Sequence, residues 1–221
     1  MIAFSSCYPQ FISQPPKWLP LLFAGGLALW LTGCVLITDS GHNHAKEGAP
    51  APSIDFKDPV LNQRKIVVTA PLNELTAKEV ILKLQYLDSL GTDPIDLYLK
   101  TDGGPIQDAF AVIDVMRALR SRVNTWALGN CNSAGAMILV AGTGRRFAYP
   151  NAVIAIHGGK KVGRVPPAYL RVVDAQVQAL WKQRAKLPAE WFPLRGDAMH
   201  FLPPEKALEH GVIDEIAQPQ H

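Results

Sequence analysis

At 221 residues, with 48% apolar and 19% charged side chains, the chain can bury one full hydrophobic core and has the size of one domain with extensions. A formal charge of +3 is too small to point to a nucleic-acid partner. Cys7, Cys34 and Cys131 make neither a disulfide framework nor a metal-ligand spacing, and no cofactor is expected.

The amino-terminal segment reads as an export signal. Trp18 to Thr32, WLPLLFAGGLALWLT, is apolar and uncharged, follows Lys17 and precedes Gly33 and Cys34: a basic flank, a hydrophobic run and a small-residue cleavage site. Leu31-Thr32-Gly33-Cys34 resembles the lipobox of bacterial lipoproteins. That resemblance implies a signal peptide over residues 1–33, a lipid on Cys34, and a mature chain held on the membrane of the cell envelope, facing the periplasm. Val35, rather than Asp, follows the cysteine, which by the same resemblance favours the outer membrane of a Gram-negative host. The alternative is an uncleaved anchor, since the apolar run can be extended to Ile37, near the ~20 residues that a spanning helix needs.

Residues 34–60 hold Gly41, Gly48, Pro50, Pro52 and Pro59 among polar residues without a sustained apolar period, and read as a flexible linker. His42 and His44 have no cysteine or carboxylate cluster beside them and read as part of that tether. The folded domain is expected over residues 61–218.

Within it, β-rich runs alternate with helical patterns. Strands are expected at Lys65 to Thr69, Ile95 to Lys100, Val123 to Leu128, near Arg146 to Ala148 and at Val153 to Ile156. Helices are expected at Thr76 to Ser89, Ile106 to Leu119, from Ser133 onward, from Pro166 to Leu187 and from Pro204 to His210. Repeated strand, helix, strand units at this spacing predict an α/β fold of right-handed βαβ units with a mainly parallel sheet.

Three junctions carry candidate chemistry. Gly129-Asn130-Cys131-Asn132-Ser133-Ala134-Gly135 joins a strand to a helix, where a serine is exposed on a sharp turn beside the unpaired N–H groups of a helix start. Taken alone, Ser133 is equally a helix N-cap. Thr101-Asp102-Gly103-Gly104-Pro105 makes a second such junction, and its paired glycines permit close backbone approach to a ligand. Ala155-Ile156-His157-Gly158 closes an apolar strand with a histidine.

Together these segments resemble the Clp protease proteolytic subunits, a family of the crotonase-like fold, over most of residues 62 to 217. Ser133 follows Gly104 by 29 positions, and His157 follows Ser133 by 24. Ala141-Gly142-Thr143-Gly144, Tyr149-Pro150-Asn151, Phe201-Leu202 and Glu209-His210-Gly211-Val212-Ile213-Asp214 extend the match. The resemblance implies a serine peptidase in which Ser133 is the nucleophile, His157 its general base, and the N–H groups of Gly104 and Ala134 the oxyanion hole. Cys131 aligns with a small residue and is not the expected nucleophile.

The family's third residue is an aspartate two positions before a Phe-Leu pair, and Met199 stands there. A thioether cannot accept an imidazole N–H as a carboxylate does. Asp197 is the nearest acid, and a backbone carbonyl is the other group that can orient His157. The stretch from His157 to Phe201 is shorter than the family's, in the region that joins two rings, so a homo-oligomer is expected without the double ring. Export would separate the chain from cytosolic ATP, so the expected partners are peptide or unfolded protein substrates and not an ATPase. Two other readings stay open: a catalytically weak peptide-binding scaffold, and a crotonase-type acyl-thioester enzyme.

Overall fold

The structure, a computed structural model, describes residues 54–159 and 164–218. The apolar segment, Cys34, His42, His44 and the linker as far as residue 53 lie outside the described residues. Among the described residues no helix is long and apolar enough to cross a membrane.

In chain order the elements are α1 (Pro59–Asn62), β1 (Lys65–Val68), α2 (Glu74–Leu90), β2 (Ile95–Thr101), α3 (Ile106–Ala118), β3 (Val123–Asn132), α4 (Ala134–Val140), β4 (Arg146–Ala148), β5 (Val153–Ile156), α5 (Pro167–Arg184), β6 (His200–Leu202), α6 (Pro204–Glu209) and β7 (Glu215–Ile216). Strands β1, β2, β3, β4 and β7 lie side by side in that order, all parallel, while β5 pairs with β3, and β6 runs antiparallel against β5. The expected α/β fold with a mainly parallel sheet is the fold observed. The start expected at Leu61 falls inside α1, and Phe56 before it packs its ring 4.7 Å from that of Tyr86.

Local sequence explains the elements. Along β2, Ile95, Leu97, Leu99 and Thr101 are buried and the residues between them are not, the period of a strand with one face on the core. Helix α2 opens where the Asn73 side chain accepts the Thr76 N–H at 2.9 Å, and it buries Ala77, Val80, Leu84 and Leu87, one stripe of a helix. In α3 the stripe is Ala109, Val112, Ile113 and Met116. Every residue of α4 is buried, as expected of a helix that is apolar all round. The carbonyls at its end are met from α5, where the Arg184 guanidinium donates to Val140 O, the last residue of α4, at 3.1 Å and to Gly142 O, just beyond the helix, at 2.6 Å.

Strand β3 changes neighbour along its length. Thr125 to Ala127 pair with β4, and Asn130 to Asn132 pair with β5. Gly129, at φ +51°, marks the change. The strand runs to Asn132, beyond the Leu128 expected from the sequence, because the polar run after Leu128 finds its backbone partners in β5 and only Cys131 points into the core.

Arg146 closes the far edge. Its guanidinium pairs with Asp214 and donates to Arg184 O at 3.0 Å and Gly211 O at 2.7 Å, binding the end of α5 and the loop after α6 to β4.

Candidate active site

Parallel strands end on one side of a sheet, and ligands of open α/β sheets bind beyond those ends. Here the sheet divides at the end of β3, which exchanges β4 for β5 as its neighbour and is flanked by the loop after β2.

Ser133 is the hinge between β3 and α4, with φ +54° and ψ −119°. A positive φ is uncommon for a side chain larger than glycine, and such backbone costs of order 1–3 kcal/mol, sustained by its surroundings. Those surroundings are explicit: Ser133 N–H donates to Ala155 O at 2.8 Å, and Ser133 O accepts from Met137 N–H at 3.1 Å. Its side chain makes no capping hydrogen bond, so the hydroxyl is not used as an N-cap.

The loop after β2 presses against this hinge. Gly103 has φ +93°, and a Cβ there would stand 2.7 Å from Ser133 Cβ and 2.9 Å from Ala134 N. A Cβ on Gly104 would collide with the Leu72 carbonyl. Gly103 is held on both sides, its N–H donating to Thr101 Oγ1 at 3.1 Å and its carbonyl accepting from Leu72 N–H at 2.8 Å. The N–H of Gly104 makes no hydrogen bond to a described residue. Ala134 opens α4, so its N–H has no partner within the helix.

His157 leaves β5 two residues after Ala155, which pairs with Asn132, so Ser133 and His157 emerge from neighbouring strands at the same end. The imidazole is half-buried, and its Nδ1 lies 2.5 Å from Gly158 O. A carbonyl only accepts, so Nδ1 carries the proton in this contact and Nε2 is left as an acceptor, the tautomer a general base requires. No hydrogen bond joins Ser133 to His157 among the described residues; such bonds often tighten only when substrate is bound.

No hydrogen bond joins Asp197 to His157 among the described residues. Asp197 lies exposed in the turn after Gly196 and makes no hydrogen bond or ion pair among the described residues. Ile156 pairs with His200 in the β5–β6 ladder, and one further step along it sets Met199 opposite His157, with Asp197 two residues beyond. The group at Nδ1 is the Gly158 carbonyl. A different carboxylate approaches this loop: Asp174 Oδ1 lies 3.6 Å from where a Cβ on Gly159 would stand.

Cys131, two residues before Ser133, is fully buried, and burial pushes its thiol up to about 12, which removes it as a nucleophile. A polar cluster not singled out in the sequence lies beside the hinge: Asp102 Oδ1 accepts from Asn130 Nδ2 at 2.5 Å and from Asn132 Nδ2 at 3.2 Å. Asn130 and Asn132 sit two apart on one face of β3, a pattern visible in the sequence only once that run is known to be strand.

The model of the Clp protease family matches residues 49–220. The chain is also similar to the ATP-dependent Clp protease proteolytic subunit of Deinococcus radiodurans, with 31% identity over 173 residues, 74% of this chain and 85% of that one.

Proposed function

The chain belongs to the Clp protease family, and from this we propose that it is a serine peptidase that hydrolyses peptides and unfolded segments in the cell envelope without ATP. Ser133 is the nucleophile and His157 the general base. As Ser133 Oγ attacks the scissile carbonyl carbon, its proton passes to His157 Nε2, and the carbonyl oxygen takes up negative charge against the N–H groups of Gly104 and Ala134. Collapse breaks the C–N bond, and the proton goes from Nε2 to the leaving amine. Water, deprotonated by the same imidazole, then releases the acyl group.

The observation that carries this reading is the Ser133 backbone at φ +54°, which presents a hydroxyl engaged in no capping bond beside the Ala134 N–H. A fluorophosphonate probe tests it: labelling of the wild type should be lost in Ser133→Ala and in His157→Ala. Labelling that persists in Ser133→Ala would place the nucleophile elsewhere.

The location rests on Leu31-Thr32-Gly33-Cys34. Cleavage before Cys34 and a lipid on its amino terminus would hold the domain on the envelope membrane, away from cytosolic ATP, with homo-oligomeric assembly as the remaining partnership. Mass spectrometry of the membrane fraction should find a mature chain that starts at lipid-modified Cys34; an intact residue 1–33 segment would overturn the anchor.

One observation favours a second reading, a weak enzyme that serves mainly to bind peptide. The partner of His157 Nδ1 is a carbonyl rather than a carboxylate, which gives less support to the imidazolium formed during attack. A turnover number near the uncatalysed rate, with peptide binding retained, would select that reading.

A further inference from the structure

We propose that Asp102 is a positioning residue: its carboxylate ties the loop that carries the Gly104 N–H to the end of the strand that carries Ser133, and so sets the oxyanion donor relative to the nucleophile. This rests on the roles given above to Ser133 and Gly104. Asp102 stands between Thr101, the last residue of β2, and Gly103. Its Oδ1 receives both Asn130 Nδ2 and Asn132 Nδ2, at 2.5 and 3.2 Å, so one oxygen of the loop is held by two side chains of β3. Hydrogen bonds to an ionised acceptor are shorter and stronger than neutral ones.

The orientation of Asn132 shows what this tether costs. Its Oδ1 is buried and has no partner among the described residues. Turning the amide over would set that oxygen against the Asp102 carboxylate, which is acceptor-only, and lose the Nδ2 bond. The amide is therefore oriented by Asp102 and not by its own best satisfaction, although buried polar atoms are nearly always paired.

The bond from Gly103 N–H to Thr101 Oγ1 lies within the loop, and the one from Leu72 N–H to Gly103 O runs towards the start of α2. The Asp102 bonds are the side-chain bonds that cross to β3, beside the backbone pairing of Thr101 with Cys131 that ends the β2–β3 ladder. An oxyanion hole demands donors about 2.7–3.1 Å from where the charge develops, and a shift of about 1 Å in such a site costs on the order of 10²-fold in rate. Gly103 is already packed where a Cβ would touch Ser133, so release of the loop moves Gly104 relative to the hinge.

The test compares wild type, Asp102→Ala and Asp102→Asn in peptide hydrolysis and in amide exchange at Leu72, whose N–H bonds the loop. Asp102→Ala should lower kcat on the order of 10²-fold with KM within a few-fold, and speed exchange at Leu72. Asp102→Asn should recover most of both, because its amide oxygen still accepts from Asn130 and Asn132. Unchanged kcat in Asp102→Ala, or equal loss in both variants, would overturn the proposal. If the wild type neither hydrolyses peptide nor takes the fluorophosphonate probe, the peptidase reading fails separately; the exchange comparison still decides the tether, and equal exchange at Leu72 in wild type and Asp102→Ala rejects it.

Discussion

His157 is oriented by the residue that follows it: its Nδ1 lies 2.5 Å from the carbonyl oxygen of Gly158. Continued one step, the β5–β6 register sets Met199 opposite His157, and Asp197 makes no bond to a described residue. On the proposed reading the site works as a dyad. Asp197→Asn should stay within a few-fold of wild type, while Ser133→Ala and His157→Ala lose turnover. A loss on the order of 10⁴-fold in Asp197→Asn, the size seen when an orienting carboxylate is removed, would restore a triad.

Gly104 should tolerate no side chain. A Cβ there meets the Leu72 carbonyl, which is backbone and cannot swing away, so Gly104→Ala must displace the loop. The expected result is a fall in kcat of about 10²–10³-fold, the cost of one oxyanion donor, with a lower melting temperature. Gly91→Ala, where a Cβ meets nothing within 4 Å, is the control for the general effect of removing a glycine.

The Cys131 thiol should be silent in the folded protein. It is fully buried, and burial lifts it to about 12, so at pH 8 it carries almost no thiolate. Iodoacetamide should modify it only in denaturant. Rapid modification of the native protein, with loss of activity, would show the strand to be open.

Acid should weaken the fold through Asp88. Its carboxylate accepts the Ser121 hydroxyl and N–H, each at 2.7 Å, and lies 3.3 Å from the Arg120 guanidinium; these bonds hold it below the usual carboxylate range. A carboxyl with a depressed folded value contributes stability above its unfolded value, near 4, and loses it as pH falls through the folded value. Asp88→Asn should be less stable than wild type in urea at pH 7, and the gap should shrink below about pH 4. A constant gap would mean that the charge is not involved.

Much of the fold was legible because its signals are local. Ile95, Leu97 and Leu99 alternate, Val112, Ile113 and Met116 fall on one helical face, and Pro167 marks the first turn of α5. What escaped depends on distant partners. Nothing within His200–Leu202 or Glu215–Ile216 shows alternation long enough to mark a strand; each is strand because β5 and β4 offer an edge. In the site, Ser133 and His157 stood out through type and spacing. Asp102 did not, because its partners Asn130 and Asn132 are about thirty positions away and read as loop until β3 is seen to continue past Gly129.

The late closure of the sheet has a consequence for incomplete chains. Strand β5 has β3 on one side and β6, at residues 200–202, on the other, while β4 waits for β7 and for the carbonyls that Arg146 binds. A product that stops before residue 200 still contains Ser133 and His157, yet leaves β5 with an uncovered row of N–H and C=O groups, and its Ile154 and Ile156 without their partners Leu202 and His200. Such an edge is a template for pairing with another chain. Premature termination in this gene should therefore yield not a quiet loss of enzyme but an insoluble product, and an exported one would burden the quality control of the compartment that receives it.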